Sequence, residues 1–376
     1  MADAATPSGI DVIRVWALPD DFFARPTAEQ FEAIRAVTAP ATPLPGRRKP
    51  CRMAAMDEAL VVLFFLVSLG LPWMLGLPFI YLLLAGSWTA VVGWLVLYVA
   101  LATHPMPHSM RTSRLALAMA RYLTFEVVLD RNDPDFAVMG TPAVDDHDYQ
   151  RRRLPALFLG CPHGVFNYGA ICWCCFSRWI SGWQQRTGAA KVVLSVPGLR
   201  YMCPLIWLVP ADRASLGATL REPLDFDERR GGTLGMVPDG IMGAFGSRAG
   251  LDTLLIGSRR GLMRICAEEG ATVYASWFFG TTEHLTVLTD PFGLMERASR
   301  RMQAGIMGYY GRFGLPVPRR VAVTLVVAAV KSPKLVAPTA EQLEQLHRDV
   351  YVGGLERVYD SLKAYAGYPE QRIVIK

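Results

Sequence analysis

The chain has 376 residues, enough for one large domain or two ordinary ones. Hydrophobic residues make up 52% of it and charged residues 19%, which is too apolar for an ordinary soluble enzyme and too polar for a polytopic transporter. The net charge of +6 favours anionic partners such as a phospholipid surface or a phosphorylated cofactor; the scattered basic residues and the lack of a recognition motif argue against nucleic acid.

The first segment, residues 1–52, is polar and rich in proline, which predicts a mobile leader rather than a cleavable signal peptide. One short helix is expected within it, because Thr27 to Gln30 has the pattern of a capping box and Phe31 and Ile34 share one face. The run from Pro40 to Lys49 is typical of a linker.

A long apolar stretch follows, since no Asp, Glu, Lys or Arg occurs from Ala59 to Thr103. One membrane-spanning helix needs about 20 apolar residues, so this stretch is long enough for two. We expect the turn between them at Pro72 to Pro78, and the basic residues on both flanks place both flanks in the cytosol. The sequence therefore predicts a membrane-embedded helical hairpin over residues 53–110, spanning or re-entrant, with a buried hairpin of a soluble protein as the alternative.

Residues 111–376 have the pattern of an α/β domain that faces the cytosol. The basic, apolar stretch Arg114–Tyr122 predicts a helix at the membrane surface, and Leu254–Glu269 predicts a helix that ends at Gly270. A capped start at Pro338 to Gln342 predicts a C-terminal helix. Strands alternate with helices, which favours a mostly parallel sheet with helices on both faces. The predicted strands are Leu157–Gly160, Val192–Val196, Leu234–Pro238, Val273–Phe279 and Val321–Val330.

The seven cysteines favour buried free thiols in a reducing compartment over disulfides or a metal site. Three of them, Cys172, Cys174 and Cys175, lie in the apolar helix expected from Phe166 to Trp183, and no second ligand pair occurs at zinc spacing. The acidic cluster from Asp145 to Asp148 is better explained as a solvated loop than as a metal site. The sequence thus predicts no bound metal.

One histidine, His163, lies between the buried strand that ends at Gly160 and the helix that follows. A side chain on such a loop can be held rigidly and still reach a ligand. The adjacent helix N-terminus disfavours imidazolium and keeps the ring available as a neutral base. Taken alone, a histidine that only fills the turn is the alternative.

Two further segments can carry chemistry. Pro238 to Gly246 is a glycine-rich loop whose spacing does not match the dinucleotide fingerprint; its amides can approach a phosphate or an oxyanion, or the loop is a flexible connection. Arg259 and Arg260, expected within a helix, can bind cofactor phosphates or form a solvated basic face. No Gly-x-Ser-x-Gly elbow is present, which argues against a serine hydrolase.

Together these segments resemble the type 2 diacylglycerol acyltransferase family, with its monoacylglycerol and wax-ester relatives. Cys161-Pro162-His163-Gly164 is similar to the family's His-Pro-His-Gly box, and the hairpin before it is similar to the family's membrane anchor. The block from Arg259 to Gly280 is similar to its Arg-x-Gly-Phe…Phe-Gly-Glu block, and the tail from Pro338 to Tyr365 to its C-terminal segment. Asp239-Gly240 resembles the Pro-Glu-Gly motif of the wider glycerolipid acyltransferases.

The chain also departs from the family pattern. Cys161 replaces the first histidine of the box, and Thr281 replaces the glutamate of Phe-Gly-Glu, with Glu283 two places on. Tyr168 stands where the His-x4-Asp box of the wider group has its aspartate. The carboxylate partner of His163 is therefore open between Asp239 and Glu283.

The resemblance implies a membrane-bound acyl-CoA:diacylglycerol O-acyltransferase that makes triacylglycerol, with His163 as general base on the acceptor hydroxyl and Asp239 as a second catalytic residue. Acyl-CoA is the implied co-substrate and no cofactor is bound. The implied location is the endoplasmic reticulum membrane with both termini cytosolic, with lipid droplets as a second location and a homo-oligomer left open. The implied substrate-binding residues are Cys161, Pro162, Gly164, Asn167, Gly240, Arg259 (as a CoA contact), Gly261 and Glu283.

Two other classes remain alternatives. One is a monoacylglycerol, wax-alcohol or lysophospholipid acyltransferase of the same superfamily. The other is a catalytically inactive lipid-droplet protein, which the altered box would allow. Cys161 as a nucleophile is a rival to His163 and would require a covalent acyl-enzyme.

Overall fold

The computed structural model describes residues 9–107, 109–257, 259–302 and 305–376. Within these ranges the strands are β1 (Ile10–Ile13), β2 (Thr38–Pro40), β3 (Glu126–Asp130), β4 (Ala156–Cys161), β5 (Arg186–Ala189), β6 (Leu208–Pro210), β7 (Thr233–Met236), β8 (Asp252–Leu254), β9 (Thr272–Phe279), β10 (Thr286–Val287), β11 (Tyr309–Tyr310), β12 (Thr324–Lys331) and β13 (Ile373–Ile375). The helices are α1 (Thr27–Ala36), α2 (Ala55–Phe65), α3 (Leu71–Leu84), α4 (Trp88–Thr103), α5 (Arg114–Tyr122), α6 (His147–Arg153), α7 (Tyr168–Ser181), α8 (Cys203–Ile206), α9 (Arg213–Arg221), α10 (Gly240–Gly246), α11 (Gly261–Glu269), α12 (Leu294–Met302), α13 (Ala340–Leu346) and α14 (Gly353–Leu362). The π-helical turns Leu66–Gly70 and His347–Val352 connect α2 to α3 and α13 to α14.

The centre of the fold is a nine-stranded sheet in the order β2-β1-β3-β12-β9-β4-β7-β5-β6. The five strands β9, β4, β7, β5 and β6 run parallel to one another, and β3 is parallel to β12. Strand β1 is antiparallel to both β2 and β3, and β9 is antiparallel to β12. Every residue of β4 and β9 is buried, which explains their continuous apolar sequences. The mostly parallel sheet predicted from the sequence is confirmed.

Four of the predicted strands are confirmed as β4, β7, β9 and β12, and the fifth is wrong. Lys191–Leu194 forms a single 3-10 turn with no buried residue. The strand lies just before it at β5, where Gly188 fits closely against β7: a Cβ atom there would lie 2.2 Å from Met236 Sδ. This close approach requires a small residue at Gly188, and small residues carry little strand signal in the sequence.

Helices cover both faces of the sheet. One core contains buried side chains of α1, α2, α5 and α7, and the other contains side chains of α9, α11, α13 and α14. All seven cysteines are free, and the three in α7 are buried, as the apolar composition of that helix predicted. The capping box at the start of α13 is confirmed, because Thr339 and Gln342 exchange side-chain and backbone hydrogen bonds.

The prediction of a mobile leader is wrong for residues 9–52. Strand β1 pairs with both β2 and β3, so this segment completes one end of the sheet. Helix α1 is present where expected, with Phe31 and Ile34 buried, but the expected capping box is absent because Pro26 precedes the helix. Phe22 packs edge-on against Trp179 of α7 and anchors the segment on the core.

The apolar stretch forms two helical arms, but the turn lies later than predicted. The chain is helical from α2 to the end of α3, and the connection to α4 is Ala85–Ser87 rather than Pro72 to Pro78. Pro72 follows the π-helical turn Leu66–Gly70, whose altered hydrogen-bond pattern accommodates a residue without an N–H, and Pro78 lies inside α3 without ending it. The arms contact each other through Phe79 and Trp94, whose ring centroids are 4.4 Å apart.

The helical run Ala55–Leu84 is long and apolar enough to cross a bilayer by length and composition, and α4 is a shorter apolar helix. Many large apolar side chains of the two arms are more than half exposed. These include Met74, Leu77, Ile80, Tyr81, Leu84, Trp88, Val92 and Val96. The outer surface of the hairpin is therefore apolar.

Two further helices differ from expectation. The bounds of α5 are as predicted, but residues 115–120 are buried in the core against α2 and α7, so its apolar residues pack inside the protein. Alanines at three of these positions allow the close packing. Helix α11 begins only at Gly261, because the first predicted helical residue, Leu254, belongs to β8, which pairs with β13. The helix ends at Gly270, with φ +66°, as predicted.

A buried carboxyl group at this C-terminal pairing gives a test of the packing. Burial raises the pKa of Asp252 to about 6, and the hydrogen bond from Tyr359 opposes the rise. An unfolded aspartate has a pKa of about 3.9, so the stabilising contribution of the neutral carboxyl is present below that pH and is lost as the pH rises through about 6. We expect Asp252→Asn, which stays neutral, to gain up to about 3 kcal/mol relative to the native chain between about pH 4 and pH 7. Denaturant unfolding across this range measures it.

The matched control is Asp360→Asn, which removes an exposed carboxylate on α14. Its unfolding free energy should follow the native pH profile. If Asp252→Asn also follows the native profile, the burial of Asp252 is not as the structure has it.

Candidate active site

The candidate site lies where two neighbouring parallel strands end. Strands β4 and β7 pair in parallel, so the loops that follow them meet at the same edge of the sheet. His163 follows β4, and Asp239 follows β7. The Asp239 side chain is fully buried, and its Oδ2 accepts a hydrogen bond from the main-chain N–H of His163 at 3.3 Å. The structure therefore brings the two predicted catalytic residues together.

The ring of His163 is half-buried and its orientation is defined. Nδ1 lies 3.0 Å from the main-chain oxygen of Gly164. Because a carbonyl oxygen can only accept, Nδ1 carries the hydrogen in this contact and Nε2 keeps its lone pair. Among the described residues no carboxylate is hydrogen-bonded to the ring, so a backbone carbonyl orients it.

Asn167 and Gly164 shape the loop. The Asn167 amide nitrogen donates to the carbonyls of Gly160 and Pro162 at 3.0 and 2.9 Å, and its oxygen caps α7 by accepting from Ala170 N–H at 2.8 Å. Sequence motifs suggested a substrate contact for Asn167, but its side chain holds the loop.

Gly164 has φ +58°, and a Cβ atom there would lie 2.9 Å from Thr281 Cγ2. Only glycine fits this conformation and spacing without strain. The turn that carries His163 is thus packed directly against the segment that follows β9.

The buried carboxylate of Asp239 depends on the glycines of α10. A Cβ atom on Gly243 would lie 2.0 Å from Asp239 Oδ2, and Gly240 has φ +53°. Burial raises the pKa of Asp239, while the charge of His163, the hydrogen bonds to main-chain N–H groups and the charge of Arg259 oppose the rise. Oδ1 has no hydrogen-bond partner among the described residues. The glycine-rich loop therefore serves to enclose a carboxylate.

The two arginines of the basic motif have different environments. They lie in the loop before α11 and not within a helix, because α11 starts at Gly261. Arg260 donates to Glu344 at 2.7 and 3.1 Å. Arg259 is exposed, and no carboxylate pairs with it within the described ranges, although its charge acts on Asp239. Arg259 is thus the arginine that is available to a ligand.

The C-terminal segment supplies a buried tyrosine at the same place. The pKa of Tyr351 is raised well above its usual value by burial and by the nearby Cys161 and Asp239, and Arg259 opposes the rise. Its hydroxyl has no partner in the described part of the chain, and neither does the indole N–H of Trp277, which pairs in register with Cys161. Neither side chain was predicted to lie at the site. Tyr351 lay within the C-terminal segment that resembles the family, whereas Trp277 lay in a predicted strand with no functional motif.

Cys161 lies beneath the loop and is fully buried. Burial, together with the charge of Asp239, raises the pKa of its thiol well above the usual value. A thiol in this environment stays protonated and is a poor nucleophile.

The second candidate carboxylate, Glu283, points elsewhere. It accepts hydrogen bonds from Arg47 and from the hydroxyl of Tyr368, and burial raises its pKa. No hydrogen bond joins it to His163 in the described part of the chain. Of the two carboxylates that the sequence left open, the structure places Asp239 against His163.

A further histidine near the site was not predicted. His284 is buried, its ring packs edge-on against Tyr168 with centroids 5.5 Å apart, and burial lowers its pKa to about 4. The Tyr168 hydroxyl and His284 Nδ1 lack hydrogen-bond partners among the described residues. His284 lies in a polar sequence with no recognisable motif, so nothing in the sequence indicated it.

Aromatic side chains connect the site to the hairpin. Phe65 at the end of α2 packs on Tyr168 at 5.0 Å between centroids, and Tyr309 packs on both Phe166 and Trp73. The His163 loop therefore lies between a polar side, formed by Asp239 and the arginine loop, and an aromatic side next to the apolar hairpin.

The acidic cluster expected to be a loop is engaged in local contacts: Asp145 pairs with Arg178 and Asp146 caps α6. Among the described residues there is no group of three or more His, Cys, Asp or Glu side chains that could hold a metal ion.

Comparison with known proteins identifies the family. A model of the diacylglycerol acyltransferase family matches residues 142–376. Similar proteins include 2-acylglycerol O-acyltransferase 1 of Mus musculus (24% identical; 57% of this chain and 67% of that protein), diacylglycerol O-acyltransferase 2 of Dictyostelium discoideum (23%; 55% and 66%) and acyl-CoA wax alcohol acyltransferase 1 of Homo sapiens (26%; 56% and 66%). The matches span about two thirds of the length of these relatives. No solved structure matches significantly.

The matched region contains the segments that meet at the site, from the His163 loop to Tyr351. The family resemblance inferred from the motifs is confirmed, and with it the expectation of an acyl-CoA-dependent O-acyltransferase. The chain belongs to the diacylglycerol acyltransferase family.

Proposed function

We propose that this protein is a membrane-bound acyl-CoA:diacylglycerol O-acyltransferase in which His163 is the general base. The observation that carries the proposal is the geometry of His163: its Nδ1 faces a carbonyl oxygen, which leaves Nε2 as a proton acceptor. Diacylglycerol as acceptor is supported by the family match, while similar proteins are named for acylglycerol and wax-alcohol acceptors.

The proposed reaction needs only the chain's own groups and the two substrates. The acceptor hydroxyl oxygen attacks the thioester carbon while His163 Nε2 takes the hydroxyl proton. The tetrahedral intermediate then collapses, the C–S bond breaks, and the imidazolium returns the proton to the CoA sulfur. The positive end of α7, which starts five residues after His163, favours the negative charge that develops on the carbonyl oxygen.

Asp239 acts in this proposal as a positioning residue. It holds the main chain of His163 rather than the ring, and its charge favours the imidazolium that forms during transfer. A buried carboxylate interacts strongly with such a charge because little water screens it.

The two sides of the loop suit the two substrates. Arg259 is exposed next to Asp239, and we assign it to a phosphate of CoA. The aromatic side faces the apolar hairpin, which we place in the bilayer, so a diacylglycerol can enter laterally. Free thiols fit a reducing compartment, and we propose the cytosolic face of the endoplasmic reticulum membrane, with both termini cytosolic and lipid droplets as a second location.

The direct test is acyl transfer by the purified chain. With labelled acyl-CoA, diacylglycerol should be the best acceptor when it is compared with monoacylglycerol, a long-chain alcohol and a lysophospholipid, and expression in yeast that lacks neutral-lipid synthesis should restore triacylglycerol.

His163→Ala should lower kcat by about 10²- to 10⁴-fold because the proton acceptor is lost. Cys161→Ser should keep most of the activity. In the native chain, no hydroxylamine-labile acyl adduct should form on Cys161. A folded His163→Ala protein with near-native kcat, or an acyl adduct on Cys161, would contradict the proposal.

The role of Asp239 can be tested without removing it. Gly243→Ala places a methyl group against Oδ2 and should displace the carboxylate, which lowers kcat by about tenfold or more while the apparent KM for acyl-CoA changes little. The matched control is Gly246→Ala on the same helix, where the new Cβ meets Leu255 at an ordinary 3.5 Å. Equal kcat values for the two variants, with both folded, would show that the position of Asp239 does not matter.

The CoA assignment rests on the difference between adjacent arginines. Arg259→Gln should raise the apparent KM for acyl-CoA about tenfold, because a charged hydrogen bond to phosphate is lost, before it affects kcat. Arg260→Gln removes a partly exposed ion pair with Glu344 and should leave this KM nearly unchanged. The reverse order of effects would place the CoA phosphates at Arg260.

A further inference from the structure

A cavity lies apart from the residues of the candidate active site. It has a volume of about 390 Å³ and lies beside α8, the edge strand β6 and its neighbour β5. Three arginines, Arg186, Arg200 and Arg230, line it together with apolar side chains, and its lining contains no aspartate or glutamate. A pocket of this size and composition suits a ligand with an anionic group and an apolar part.

The positive charge around the cavity is only partly balanced. Arg186 pairs with Glu222 at 2.8 Å and Arg230 with Asp225 at 3.5 Å. Arg200 donates instead to main-chain carbonyls and pairs with no carboxylate among the described residues. The Nε of Arg230 is buried and has no hydrogen-bond partner within the described ranges. The cavity lining therefore carries more positive charge than the neighbouring carboxylates balance.

A fourth arginine lies behind the wall. The guanidinium of Arg111 stacks 4.3 Å from the ring of Trp207 and donates to the carbonyls of Gln185 and Leu205. Four guanidinium groups thus face two carboxylates. Trp207, which lines the cavity, has φ +46°, a strained conformation for a large residue that is common where a backbone clamps a ligand.

The cavity is attached to the end of the hairpin. Met106 and Pro107, which follow α4, form part of its lining, and Arg200 donates to the carbonyls of the last turn of α4. The hydroxyl of Tyr98 on α4 also donates to Ser195 at 3.2 Å. When the hairpin is in a bilayer, as the proposed function has it, the cavity lies where α4 leaves the apolar layer. Arginine and tryptophan are the residues typical of this level.

We propose that this cavity binds the phosphate headgroup of an anionic glycerophospholipid from the surrounding bilayer. The guanidinium groups bind the phosphodiester, and the apolar wall accepts the glycerol end of the acyl chains. The inference rests on the membrane location within the proposed function, but it does not depend on the acyl-transfer chemistry.

The test is the headgroup selectivity of the full-length protein in neutral detergent, measured by equilibrium binding of fluorescent phosphatidylglycerol and fluorescent phosphatidylcholine. The native chain should bind phosphatidylglycerol about tenfold more tightly. Arg186→Gln/Arg230→Gln should lose this preference. The matched control is Arg213→Gln/Arg221→Gln, which removes the same charge from two arginines that also pair with glutamates, Glu268 and Glu269, and it should keep the preference.

Arg230→Gln alone, at the isolated β-bridge with Asp225, replaces the double variant if that one does not fold, and it should reduce the preference. Equal affinities in the native chain, or a preference that survives in the pocket variants, would overturn the proposal. Displacement of the lipid by glycerol 3-phosphate alone would show a free-phosphate site, and displacement by CoA would show a CoA site; either result overturns the lipid assignment. Acyl transfer is measured on the same native sample, so selective binding without transfer would contradict only the proposed function, and transfer without selectivity only this inference.

Discussion

The fully buried carboxylate of Asp239 is the constraint on which the site depends. It lies at the end of β7 and accepts a hydrogen bond from the main chain of His163 at the end of β4, so it joins the two loops across neighbouring parallel strands. A buried carboxylate is tolerated only where donors and positive charge surround it. The glycines of α10 and the turn at Gly164 leave space for Asp239 and the His163 loop, and the charge of Arg259 opposes the rise in the pKa of Asp239.

This arrangement separates two tasks that a single aspartate on the ring would combine. A backbone carbonyl orients the imidazole of His163, while Asp239 fixes the loop and provides negative charge nearby. Tyr168 occupies the position of the carboxylate found in the wider glycerolipid acyltransferase pattern, and it packs on Phe65 of the hairpin. This part of the site is therefore an aromatic wall next to the hairpin.

The sequence predicted the parts of the fold that carry strong patterns. The apolar runs of β4 and β9 and the glycine stop at Gly270 were recognised because burial on both faces and a left-handed helix end leave clear signals. The small residues of β5 and the short strands β1 and β2 were missed, because their place in the sheet depends on distant neighbours. The hairpin turn was placed too early because neither Pro72, which follows a π-helical turn, nor Pro78, which lies inside α3, ends the helix.

The candidate site was predicted in outline only. His163, Asp239 and Arg259 came from motifs, but the sequence could not decide between Asp239 and Glu283, since that depends on how the segment after β9 folds back onto Arg47 and Tyr368. Trp277 and His284 became visible only in three dimensions, as buried polar side chains with atoms that lack partners among the described residues.

The most direct measurement is an experimental structure of the full chain with a non-hydrolysable ketone analogue of acyl-CoA, in which a methylene group replaces the thioester sulfur and the carbonyl group is kept. The account predicts that the carbonyl carbon lies near Nε2 of His163, with space between them for one hydroxyl group about 3 Å from the carbon and about 3 Å from Nε2. It also predicts that a CoA phosphate contacts Arg259. A carbonyl carbon in contact with the sulfur of Cys161, or bound beside Glu283 and out of reach of His163, would contradict it.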